Sequence, residues 1–156
     1  MKKIELQPTK ENIYKTFIDD NIGRNKDICY FISLLESLDE SNSIAINSDW
    51  GSGKTFFVKQ IEMVLSVHNE FCQTAFEESE KIKILIKYSD LCTRLKVDEI
   101  NNLYLPIYYD AWKYDNDDDP VLSIVYEIIS TLNNKYDFEE LNINFSKILK
   151  GIIAFR

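Results

Sequence analysis

Ser48-Asp49-Trp50-Gly51-Ser52-Gly53-Lys54-Thr55 stands between the short apolar run Ile44-Ala45-Ile46 and an apolar-periodic segment from Phe56 to Val67. A strand, a glycine-rich turn and a helix, in that order, are the surroundings that a phosphate-binding loop requires. Polyphosphate is polyanionic and has to be met by converging backbone N–H groups, which a loop of small residues permits. Gly51, Ser52 and Gly53 remove side-chain bulk that would block the approach. The helix that follows carries roughly half a positive charge at its N-terminus, aimed at the anion. Lys54 adds a full charge for the outer phosphates, and Thr55 offers a hydroxyl to magnesium. The whole run from Ser48 to Thr55 is therefore the candidate nucleotide site, with Lys54 as the catalytic charge and Thr55 as the metal ligand. Ser48 departs from the pattern G-x-x-x-x-G-K-[ST], whose first position is glycine, and gives up glycine's backbone freedom. The competing reading is a serine- and glycine-rich turn that happens to precede a lysine at a helix start. The flanking strand and helix argue against it.

The bulk composition fits one soluble globular domain spanning residues 1–156, long enough to bury a sizeable core. A net charge of −8 gives no general attraction for nucleic acid, and no local basic patch offsets it. Arginine occurs only at Arg24, Arg94 and Arg156, which limits where a phosphate clamp could come from. Cys29, Cys72 and Cys92 lack metal-ligand spacing, and His68 is the single histidine, so no zinc site is legible. Free, buried thiols point to a reducing compartment. Met1 to Gln7 carries lysines with no apolar run behind them, unlike a signal peptide. No stretch approaches the ~18 apolar residues of a membrane span. The expected location is the cytoplasm, the cytoplasmic face of a membrane included.

Along the chain, Pro8-Thr9-Lys10-Glu11 offers a helix start. Ile28, Phe31, Ile32, Leu35 and Leu38 fall on one face of a helix over residues 25–38. Residues 43–47 read as the strand leading into the loop, and residues 54–67 as a helix burying Phe57, Ile61, Val64 and Leu65. Ile82, Ile84 and Ile86 alternate with lysines as in a half-buried strand, with a short helix over residues 91–95 beyond them. Residues 103–110 read as another strand, in which Pro106 removes one ladder bond. Asp119 and Pro120 supply the N-cap and first-turn proline of a helix to about Leu132, whose nearly all-round apolar positions predict burial. Strands alternating with helices predict an α/β layered fold, a mainly parallel sheet flanked by helices.

Two motifs together resemble a known family. The tryptophan just before Gly-Ser-Gly-Lys-Thr is similar to the G-x-W-G-x-G-K-[ST] loop of the KAP family of P-loop NTPases. Tyr109-Asp110-Ala111-Trp112, followed by an acidic turn and then Asp119-Pro120, resembles that family's asparagine-alanine-tryptophan segment. Asp110 stands where the family has asparagine, and Ser48 where it has glycine. Gly23-Arg24 resembles the family's lead-in to the first helix more weakly, and the matching region spans roughly residues 20–135. The resemblance implies an ATP- or GTP-hydrolysing switch that uses magnesium. It also implies a Walker B strand ending in paired carboxylates well after the tryptophan motif. No such strand follows Pro120, so the chain is expected to be the N-terminal portion of a KAP-type domain, incomplete at its C-terminus, or a shortened relative. Many relatives carry transmembrane helices inserted in the domain, which implies membrane association for a full-length relative. Ile148 to Phe155, eight residues, is too short to be one.

The other motifs have plainer readings beside the functional ones. An apolar strand ending at Asp110 could serve as a magnesium site, but a single Asp followed by Ala-Trp lacks a second carboxylate. A hydrogen bond within the turn is the plainer role. Asp115, Asp117 and Asp119 have calcium-loop spacing, yet Pro120 and Tyr126 stand where that loop needs glycine and glutamate. An acidic turn capping the next helix explains them. Trp50 and Trp112 could stack on a base, or pack, with Trp50 sealing the loop against the core. Three functions stay open: a nucleotide-hydrolysing module, a non-hydrolysing binding or interaction module, and a small-molecule kinase. The kinase ranks last because Arg24, Arg94 and Arg156 do not cluster in sequence. Nucleoside triphosphate with magnesium is the partner these residues specify, and they specify no protein partner.

Overall fold

Thr9 begins the fold by accepting from Asn12 N, which satisfies a free donor at the start of α1 (Lys10–Asp19). The computed structural model describes residues 7–39, 41–115 and 119–136. Four further helices follow: α2 (Asn25–Glu36), α3 (Lys54–His68), α4 (Glu78–Leu95) and α5 (Pro120–Lys135). Helices α1 to α4 pack on one another around a single core that includes Phe17, Ile28, Ile32, Val64 and Ile84, all fully buried. Buried polar groups tie the same helices together. Asn25 Nδ2 donates to Phe17 O at 2.6 Å, and Gln60 Nε2 donates to Thr16 Oγ1 at 3.0 Å. Each bond satisfies a group that would otherwise be costly to bury.

The expected α/β layered fold with a parallel sheet is not what forms. Among the described residues the only β pairing is an isolated antiparallel bridge between Cys72 and Tyr136. Residues 43–47 have no ladder partner among the described residues, and Ile44 and Ile46 are exposed. Residues 103–110 are likewise irregular, Leu103 exposed and the rest half-buried. An apolar run becomes a strand only where a second strand takes up its backbone groups, and none is supplied among the described residues.

The Ile82-Ile84-Ile86 alternation is overturned for a different reason. The segment lies inside α4, which buries Ile84, Tyr88, Leu91 and Cys92 and leaves Ile82 and Ile86 exposed. Steps of four, three and one residue mark a helical face that crosses the alternating pattern. A capping box fixes its start: Glu80 accepts from Glu77 N at 3.0 Å, and the Glu77 side chain accepts from the N3 backbone.

Helix α5 begins where expected. Asp119 accepts from Val121 N and Leu122 N, and Pro120 occupies the first helical position, where it needs no donor. The expected burial is corrected, since Val121, Leu122, Ile124 and Tyr126 are all exposed, and the buried positions are Ser123, Thr131 and Leu132. Its buried apolar contact lies at its C-terminal end, in a small cluster of Cys72, Leu132 and Tyr136. Asp119→Ala should cost about 1 kcal/mol through the lost cap, read by thermal denaturation. An unchanged melting curve would remove the cap from the account. The rest of the acidic run proposed as a calcium loop, residues 116–118, lies outside the described residues, as does the apolar stretch 148–155. All three cysteines are free and buried. No helix among the described residues is long and apolar enough to cross a membrane.

Candidate functional site

The loop between residue 47 and α3 is shaped by two glycines in the left-handed region. Gly51 has φ +77° and Gly53 has φ +89°, conformations that residues with a Cβ adopt only under strain. A Cβ at either would meet nothing within 4 Å, so backbone conformation and not crowding demands glycine. Gly53 is the N-cap of α3, and its carbonyl receives Phe57 N at 3.0 Å. Lys54 and Thr55 therefore form the helix's first turn, where backbone donors are unsatisfied and an anion is favoured.

Lys54 curls back across the loop. Its Nζ donates to Ser48 O at 2.7 Å and to Asp49 O at 2.9 Å, which holds the ammonium over the turn. Ser52 N donates to Asp49 O at 3.3 Å, closing the turn from within. Ser48 Oγ and Ser52 Oγ lie 2.6 Å apart, so the serine that replaces the usual first glycine is tied into the loop by its hydroxyl. Thr55 is exposed, and its hydroxyl has no hydrogen-bond partner among the described residues. It is available to a cation that also takes phosphate oxygens and water, the usual way magnesium is held. No cluster of three acidic, cysteine or histidine residues among the described residues forms a metal site independent of a ligand.

Two residues arrive from elsewhere in the chain. Arg24, just ahead of α2, reaches Ser52 O with Nη2 at 3.4 Å. Its role was not legible from sequence because the arginines are far apart along the chain; the Gly23-Arg24 lead-in was the only signal. Trp112 meets Trp50 edge to face with ring centroids 5.8 Å apart. The two tryptophan motifs thus come together. Trp50 does not seal the loop against the core, since it is 83% exposed, and Trp112 is 73% exposed.

Asp110 takes the plainer of its two roles. Its Oδ1 accepts from Trp112 N at 3.1 Å and so ties the turn that follows residue 110. Behind it, Tyr109 stacks on Tyr114 at 5.2 Å and shares a 2.7 Å hydrogen bond with Ser123 Oγ of α5. The Tyr114 hydroxyl bonds to Glu127. This ladder fixes the Asp110-Ala111-Trp112 turn against α5 and so sets where Trp112 meets the loop. His68 is an exposed residue at the last position of α3, without a chemical partner among the described residues.

The KAP family P-loop domain is the family whose model matches this chain, over residues 24–155. No curated protein and no solved structure matches it.

Proposed function

This chain belongs to the KAP family of P-loop domains, and we propose that it binds ATP or GTP with magnesium at the Ser48 to Thr55 loop. The observation that carries the reading is the coincidence of three features at one helix N-terminus. Two left-handed glycines shape the turn, the first-turn donors of α3 face it, and the Lys54 ammonium lies over it. Fixed dipoles and a fixed charge of one sign need little rearrangement to receive a polyphosphate. Lys54 exchanges its carbonyl partners Ser48 and Asp49 for phosphate oxygens and neutralises charge on the outer phosphates. Gly51, Ser52 and Gly53 present backbone N–H groups, and Ser48 and Ser52 brace the turn through their hydroxyls. Thr55 would hold magnesium, which supplies charge neutralisation between the outer phosphates. Trp50 and Trp112 form an aromatic lip beside the loop.

A non-hydrolysing nucleotide-binding module is the second reading. It is favoured by the engagement of Asp110 within its own turn, which occupies the carboxylate that ends the apolar run 103–110. In the NTPase reading, a carboxylate other than Asp110 orients the water.

Titration calorimetry with magnesium and ATP or GTP tests the binding site. Lys54→Ala should weaken binding at least about tenfold, equivalent to about 1.4 kcal/mol. Equal affinities for the parent and variant chains would sink the assignment.

A further inference from the structure

Away from the loop, α1, α3, the 72–76 connection and the end of α5 line a half-open cavity of about 210 Å³. Ile13, Met63 and Phe76 give it apolar walls. Ser66 and Thr74 also line it, and the Ser66 Oγ and Thr74 Oγ1 atoms are buried with no hydrogen-bond partner among the described residues. Ser66 as a whole is 6% exposed.

The charges around the cavity are unbalanced. Glu62 is shared by two ammoniums, Lys59 at 2.8 Å and Lys135 at 2.7 Å, and all three side chains line the space. One carboxylate between two cations leaves a positive charge in surplus. Burial pushes the Glu62 carboxyl up, but hydrogen bonds from Lys135 and Lys59 more than offset this and hold it below the usual carboxylate range. Glu62 therefore stays ionised at neutral pH, and the surplus is the lysines'. Lys10 adds a third ammonium at the wall, paired with Glu80 at 2.9 Å and lying 5.0 Å from the Phe76 ring centre.

We propose that this cavity is a binding site for a small apolar monoanion, a ring or short chain bearing one carboxylate. The apolar body packs on Ile13, Met63 and Phe76, while the carboxylate takes the charge left over at Lys59 and Lys135. The size fits this class, since a cavity of about 150 Å³ already takes benzene. None of the lining residues belongs to the Ser48 to Thr55 loop, so the site is independent of the nucleotide reading and is tested without nucleotide.

Benzoate, with benzyl alcohol as its neutral counterpart, is the probe, titrated into the full chain by calorimetry and by protein-observed NMR. Benzoate should bind one to one, at least tenfold tighter than benzyl alcohol. Lys135→Met should remove most of that preference. Ser66→Leu, which fills the cavity, should abolish binding of both compounds. Thr74→Leu, placed on the connecting segment and not in a helix, serves the same purpose should Ser66→Leu fail to fold, as judged by circular dichroism. Absence of benzoate binding to the parent chain overturns the proposal, as does undiminished binding in a folded filled variant. Equal affinity for the acid and the alcohol overturns the assignment of an anion.

Discussion

Ile84→Ala should destabilise the chain by about 2–5 kcal/mol, while Ile82→Ala and Ile86→Ala should each stay within about 0.5 kcal/mol. The three isoleucines alternate in sequence, so on a strand they would share one face and respond alike. On α4, Ile82 and Ile86 share one face and Ile84 points away from it. Ile84 is 0% exposed in the core shared with α1, α2 and α3, whereas Ile82 and Ile86 are 54% and 57% exposed. Truncating Ile84 removes transfer energy and leaves a cavity walled by helices that close on it only in part. Truncating an exposed isoleucine in a helix removes little packing and slightly improves helix propensity. Chemical denaturation of the three variants, compared at a common slope, measures the contrast. Similar losses at all three positions would restore the strand and dismantle the four-helix core.

The helices were legible wherever a cap and a period coincided. Thr9, Asp119 and Pro120 mark starts in the sequence by the same chemistry that satisfies helix donors in the fold. The faces of α2 and α3 followed from residues spaced three and four apart, and Ile28, Ile32, Phe57, Ile61 and Val64 are all buried. Strands failed where helices succeeded because a strand is not a local object. Residues 43–47 and 103–110 carry β-type composition, but pairing needs a second segment, and composition cannot say whether one is present. The same limit explains α5. Its apolar positions are real, yet burial depends on a neighbour, and among the described residues only the Cys72, Leu132 and Tyr136 cluster supplies one.

At the site, the loop was legible because each of its features is local. The left-handed glycines, the helix start and the lysine lie within eight consecutive residues. Arg24 and Trp112 were not assigned to it, because their approach depends on how α2 and the 110–114 turn are held. The turn's own residues explain its placement: Asp110 ties the backbone at Trp112, and Tyr109 and Tyr114 dock it on α5. The cavity beside Ser66 gave no sequence signal at all, since its walls come from α1, α3, α5 and a connection.

The 156-residue chain with magnesium and ATP or GTP should bind nucleotide yet release phosphate far below about 1 s⁻¹, the lower end of typical kinase turnover. A phosphate loop positions and neutralises, but attack by water also needs a carboxylate to orient the water. Losing such a group commonly costs factors of about 10² to 10⁴. Asp110, at the end of the apolar run 103–110, is the candidate after the loop, and its Oδ1 already accepts from Trp112 N. Asp49 belongs to the loop, but its backbone carbonyl, not its carboxylate, meets Lys54. Arg24 donates to Ser52 O, so its guanidinium braces the loop backbone. Phosphate release by the purified chain, with Lys54→Ala and Asp110→Asn measured beside it, decides the matter. The expected result is a rate near background in all three, with nucleotide binding retained in the parent and in Asp110→Asn. Sustained turnover near about 1 s⁻¹ in the parent, abolished by both substitutions, would show that these residues form a catalytically complete site. It would make Asp110 the water-orienting carboxylate, released from its turn when nucleotide binds.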